Sequence, residues 1–247
     1  MSGQARGGVS VLAFFTLKTS NPFVLFSISH IVMLLIFGFL SVMLFSYREA
    51  IRKKKKIYRY ILIGILLLCE ISLYTWYSVT GIWDPYDTLP LQLCSISLLL
   101  CIFMLIMNSY RVFEITYFLG LAGAIQALLT PELFYDFPHY RYFHFFIGHI
   151  AIMLSCLYMV WIEKYEPTFK SIWRALIVLN ILAIFVFFVN KWTGGNYMFL
   201  ARKPSNPSLL DYLGPYPYYI LTLEAAAVFF FTLLYLPFWL KEKRTRS

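Results

Sequence analysis

An all-α membrane protein is the fold that this sequence predicts: one bundle of seven transmembrane helices, amino terminus outside, carboxyl terminus cytoplasmic. Its 247 residues are 60% hydrophobic with mean hydropathy +0.70, far above the roughly 45–50% apolar content of soluble domains. They divide into seven apolar runs of about membrane-crossing length, and nothing large enough for a second, soluble domain remains. The basic residues gather in alternate loops, which sets the orientation.

In chain order, residues 1–22 read as an extracytoplasmic or interfacial pre-helix, with Arg6 and a short apolar stretch but no cleavage-site pattern. The spans are expected at about 23–46, 57–80, 91–108, 112–130, 143–162, 173–190 and 217–239. Between the first two, a loop from Arg48 to Arg59 holds Arg52 and the run Lys53, Lys54, Lys55, Lys56. That concentration belongs on the cytoplasmic side, and alternation then puts fifteen of the twenty-one basic residues inside. The outer connections, such as GIWDPYDTLP and TPELFYDFPHYRY, are rich in Trp, Tyr, Pro and Gly, as suits the headgroup level. The longest, residues 191–216, carries Gly194, Gly195, Pro204, Pro207, Gly214 and Pro215 and reads as a non-helical lid over the outer mouth, with Asn196 and Lys203 facing it. LGLAGA around Gly120 and Gly123 reads as close helix packing.

The net charge of +9 fits anchoring to an anionic inner leaflet. Nucleic acid is excluded as a partner, because no solvated surface interleaves basic and aromatic residues. The four cysteines lie within apolar runs, without CxxC pairs or His at ligand spacing, so neither a disulfide framework nor a metal site is expected. No Walker, HExxH or GxSxG motif occurs, and no cofactor is implied.

What stands out chemically is a layer of polar residues within the spans, one to three helical turns below the outer surface: Cys94, His149, His30, Gln126, Glu70, Gln92 and Glu224. Such groups in hydrocarbon are costly unless they face the bundle interior and pair. Cys94 and His149, one and two turns into the third and fifth spans, form a candidate nucleophile and base, the imidazole drawing off the thiol proton before the thiolate attacks an acyl carbonyl. Buried Cys is also a common small hydrophobe, which makes the His the more telling member. His144, five residues earlier, points roughly 140° away around the helix. Glu70, His30 or Asn180 is expected to orient His149, with Gln92, Gln126, Asn180, Asn196 and Glu224 as supporting groups. His139, Arg141 and Lys203 are candidates for an anionic lipid headgroup.

Five strings carry a resemblance: LPLQLCSISLLLCIFMLI, FEITYFLGLAGAIQALLTPEL, FPHYRYFHFFIGHIAIML, TGGNYMFL and KPSNPSLLDYLGPYPYYILTLEA. In order and spacing they resemble the YwaF-type bacterial integral membrane proteins over all seven spans. That family is in turn distantly similar to a eukaryotic transmembrane cysteine acyltransferase of ether phospholipids and to the androgen-induced Thr/His lipid hydrolases. The resemblance implies a multi-pass protein of the bacterial plasma membrane, a nucleophile at Cys94 and a His at His149. Gln92 stands where many relatives have His.

The expected function is therefore a lipid acyltransferase or lipid ester hydrolase working near the outer leaflet, with membrane lipids as solvent and substrate. Two other classes fit the same residues. A small-solute or ion transporter would use Glu70, Glu224 and His30 near the bundle centre, and a non-catalytic scaffold or sensor would use the polar layer only to hold helices together. The lipid species, the donor, the choice between transfer and hydrolysis, and the oligomeric state are not encoded in any motif.

Overall fold

The computed structural model describes residues 14–17, 22–204, 212 and 214–246, with side chains to 244. Most of the expected pre-helix, and the lid residues 205–211, lie outside the described residues. Eight helices are described: α1 (Ile28–Ser46), α2 (Arg48–Lys53), α3 (Lys55–Thr80), α4 (Leu93–Met107), α5 (Tyr110–Leu129), α6 (Tyr140–Trp161), α7 (Phe169–Thr193) and α8 (Tyr218–Arg246), with a 3₁₀ turn at Tyr197–Phe199. All except the short α2 alternate in direction, so the bundle has a basic end and an aromatic end.

Six of these helices are long and apolar enough to cross a membrane. The expected span at 91–108 is instead the 15-residue α4, about 22 Å long against a hydrocarbon core of about 30 Å. The chain reaches it through turns around Thr88 and Pro90, and the helix begins only at Leu93. The expected basic loop is mostly helix. Arg48–Lys53 forms α2 and Lys55 opens α3, the helical course breaking at Lys54. Lys and Arg are good helix formers, and here one of them also caps. Arg52 donates from Nη2 to the Trp161 carbonyl (2.9 Å) and from Nε to the Ile162 carbonyl (3.3 Å), which satisfies orphan acceptors at the negative end of α6. The other edges move modestly: α1 starts at Ile28 rather than 23, α7 covers 169–193, and α8 runs through Pro237 to Arg246.

Helices α5 and α6 form the centre and are largely buried, whereas α1, α3, α7 and α8 are buried only in small part and turn apolar faces outward. Close approach is why glycine stands at 120. A Cβ there would meet Ile152 at 3.2 Å and the Cys156 sulfur at 3.3 Å, both on α6. The expected packing role of this segment is observed.

At the basic end, Glu114 of α5 is buried, accepting from Ser171 Oγ (2.5 Å) and from Arg174 Nη1 (2.5 Å) of α7. At the aromatic end, His30 of α1 ties to α5, its Nε2–H donating to the Leu128 carbonyl (2.8 Å) while Nδ1 accepts from Phe26 N–H (3.0 Å). The turn after α7 folds over the start of α4. Tyr197 Oη donates to the Pro85 carbonyl (2.8 Å) and accepts from Leu89 N–H (2.9 Å), and its backbone pairs twice with the buried Asn190 amide. Gly195 must be glycine here, because a Cβ would lie 2.5 Å from the Tyr86 carbonyl oxygen.

Candidate functional site

Helix α4 begins at the aromatic end with Gln92 as N-cap residue and Cys94 in its first turn. Gln92 does not cap its own helix with its side chain; its Oε1 accepts from Met198 N–H (2.9 Å) of the overlying turn. The amides of Leu93, Cys94 and Ser95 thus open the helix without an intrahelical acceptor, while Ile96 N–H returns to the Gln92 carbonyl (3.0 Å). Cys94 is half-buried, whereas Cys69, Cys101 and Cys156 are buried.

Helices α4 and α6 run in the same direction and pack together. Deep in that interface Cys101 Sγ donates to the Ile152 carbonyl of α6 (3.9 Å) and the neighbouring Cys156 Sγ donates to the Thr116 carbonyl of α5 (3.7 Å). Seven residues nearer the aromatic end, on each helix, stand Cys94 and His149. Seven residues are two turns to within about 20°, so each keeps the facing of the thiol below it and sits about 10 Å above it.

The histidines differ in what their rings have left to offer. His149 donates from Nδ1–H to the Phe145 carbonyl (2.7 Å). A carbonyl can only accept, so the neutral ring carries its lone pair on Nε2, and that buried atom has no partner among the described residues. His144 is used at both nitrogens, Nε2–H donating to the Cys69 carbonyl (3.2 Å) and Nδ1 accepting from Arg141 Nη1 (3.0 Å). His139 is likewise saturated, accepting from Arg141 N–H at Nδ1 (3.0 Å) and donating from Nε2 to the Thr16 carbonyl (2.8 Å). Its burial at the mouth of α6 holds its pKa below the usual imidazole value. With His30 tied to backbone at both nitrogens, His149 alone keeps an open one.

The other expected site residues disperse. Glu70 is half-buried on a groove along α3 that Tyr74 and Ser78 also line. Glu224 of α8 accepts from Asn180 Nδ2 of α7 (2.8 Å), and Asn180 is exposed. Asn196 organises its own turn, accepting from Ala201 and Arg202 N–H and donating to the Arg202 carbonyl. Gln126 is half-buried on α5. Arg141 lies 5.8 Å from the Trp76 ring with no carboxylate within ion-pair distance among the described residues. Lys203 lies 6.0 Å from the Tyr219 ring. The group that orients His149 is a backbone carbonyl one turn back rather than Glu70, His30 or Asn180.

Comparison with known families decides the relationship. The model of the TMEM164 family matches residues 25–235, from just before α1 to deep within α8. The chain belongs to the TMEM164 family. It is a multi-pass helical membrane protein of that family, and the matched stretch holds both Cys94 and His149. No curated protein and no solved structure matches it. One group in the TMEM164-family bundle escaped the sequence reading. Glu114 is buried and fully used, and its only signal was a charged residue inside an apolar helix.

Proposed function

We propose that this TMEM164-family protein is a membrane-embedded acyl-transfer enzyme acting on lipid esters, with Cys94 as nucleophile and His149 as general base. The observation that carries this reading is the single open imidazole nitrogen, His149 Nε2, two turns above the Cys101–Cys156 contact on the helix facing Cys94. In the first step Nε2 accepts the Cys94 proton as the sulfur bonds to the acyl carbonyl carbon. The ester C–O bond then breaks and the leaving alcohol takes that proton back, leaving an acyl thioester. The start of α4 favours this chemistry, since a helix N-terminus attracts an anion and its open amides can donate to a developing oxyanion.

Access would be lateral, between helices at the aromatic end, which the positive-inside argument assigns to the outer leaflet. The Tyr197–Phe199 turn and its continuation would act as the lid. Arg141 is the headgroup candidate best supported, as a guanidinium set among aromatic rings, with no acidic partner among the described residues, suits a lipid phosphate. His139 has both ring nitrogens engaged and none left for that task. A YwaF-type subgroup and the bacterial plasma membrane remain the finer placement that the five strings suggest. The contacts do not favour a transporter, since Glu70, Glu224 and His30 stand on α3, α8 and α1, helices that share no substantial packing.

The test uses purified protein in nanodiscs and p-nitrophenyl laurate. An adduct of one lauroyl group, removed by hydroxylamine and located on Cys94, is the expected result, and Cys94→Ala should abolish it. An intact mass unchanged in the wild-type protein, or an adduct that survives in Cys94→Ala, would overturn the reading.

A further inference from the structure

Five buried side-chain atoms have no hydrogen-bond partner among the described residues: Ser41 Oγ, Arg59 Nε, Ser97 Oγ, Asn108 Oδ1 and His149 Nε2. Ser41, Arg59 and Asn108 lie toward the basic end of the bundle. The other two lie on α4 and α6, which pack together. Ser97 is 2% exposed and His149 8%.

The orphaning of Ser97 runs against the habit of this chain. Hydroxyls within helices normally return to the carbonyl four residues back. Here Thr75, Ser78, Thr116, Ser155, Thr193 and Thr232 all do so, at 2.7–2.9 Å. Ser97 makes no such bond to the Leu93 carbonyl, so its O–H is buried with nothing to donate to. Leaving such a group without a partner is costly.

Its position gives the cost a use. Ser97 is three residues from Cys94 and four from Cys101, on the same side of α4, and residues at that spacing have Cβ atoms about 5–6 Å apart. Relative to the Cys101–Cys156 contact, Ser97 stands four residues toward the aromatic end and His149 seven, a difference in depth of about 4.5 Å. One oxygen at ordinary hydrogen-bond distance from both atoms spans such a gap, since two bonds of about 2.8 Å reach up to about 5.6 Å. The polarities match as well. Ser97 can donate, His149 Nε2 can only accept, and a hydroxyl lying between them accepts from the first and donates to the second.

We infer that Ser97 and His149 together hold the acyl acceptor, and that this acceptor is a hydroxyl group, either water or the alcohol of a lipid. The inference rests on the acyl-transfer reading above. In the second step the held oxygen bonds to the thioester carbon on Cys94, its proton passes to His149 Nε2, the C–S bond breaks and the thiolate recovers that proton. An amine or thiol acceptor would use the Ser97 donor less well, so hydroxyl specificity follows from the pair.

The experiment separates the two steps. In nanodiscs with p-nitrophenyl laurate, Ser97→Ala should acylate Cys94 at the wild-type rate, read as the burst of nitrophenolate. It should lose the acyl group about ten- to a hundredfold more slowly, the loss expected for one buried hydrogen bond, while Ser97→Thr recovers most of the rate. Unchanged deacylation in Ser97→Ala would overturn the inference, and so would loss of the burst itself in a folded variant. A density map at water-resolving resolution gives a readout free of activity. One oxygen within about 3.2 Å of both Ser97 Oγ and His149 Nε2 is expected, and its absence overturns the inference. That map also decides the matter if Ser97→Ala does not fold, or if wild-type protein forms no adduct, in which case the acyl-transfer reading fails on its own.

Discussion

Replacing His149 with glutamine should slow the acylation of Cys94 by about 10²–10⁴-fold, the range that a positioned general base contributes. Glutamine keeps a polar side chain of similar reach but has no basic nitrogen, so the thiol proton has nowhere to go. The expectation is specific to one histidine. His144→Gln should acylate within a few-fold of wild type, because both nitrogens of His144 are already committed to Arg141 and the Cys69 carbonyl. The check is the nitrophenolate burst under single-turnover conditions. Equal losses at the two positions would mean that helix packing, not proton transfer, had been disturbed.

The second large effect falls on stability, at the opposite end of the bundle. Arg174→Ala should leave the Glu114 carboxylate buried with only Ser171 Oγ for company. Breaking a buried ion pair from one side costs about 3–5 kcal/mol. The arginine side chain is 56% exposed and the glutamate 2%, so part of the attraction is already screened by surroundings and the cost should fall below that range. Glu114→Gln, which removes the stranded charge while keeping an acceptor for Ser171, should be milder than Arg174→Ala. Thermal unfolding in detergent measures both, and a milder Arg174→Ala than Glu114→Gln would contradict the assignment of the buried charge.

How much of this was legible in the amino-acid order varies by element. Apolar runs located every long helix, because membrane length and hydropathy act locally, but missed the start of α1 by five residues and the end of α8 by seven. The basic stretch misled, since a run of Lys and Arg marks a side of the membrane without saying whether the backbone there is loop or helix; tertiary capping of α6 by Arg52 is invisible locally. Cys94 and His149 could be singled out as a thiol and an imidazole in hydrocarbon. Which histidine stays open could not, because His30 and His139 lose their freedom to backbone carbonyls and amides supplied by other segments or by their own turns, and His144 to the Cys69 carbonyl and the Arg141 guanidinium. Ser97 was hidden for the same reason. A serine in a span is ordinary, and only its missing bond to the Leu93 carbonyl marks it.

The account stands most directly on one distance. An experimental structure in nanodiscs should place the Cys94 sulfur about 4–5 Å from His149 Nε2, allowing for the looseness of a site without substrate, in a cavity open to lipid at the aromatic end. A Cys94 side chain turned to the lipid-facing side of α4, or a sulfur more than about 8 Å from every imidazole, would leave the thiol without a base and contradict the proposed chemistry.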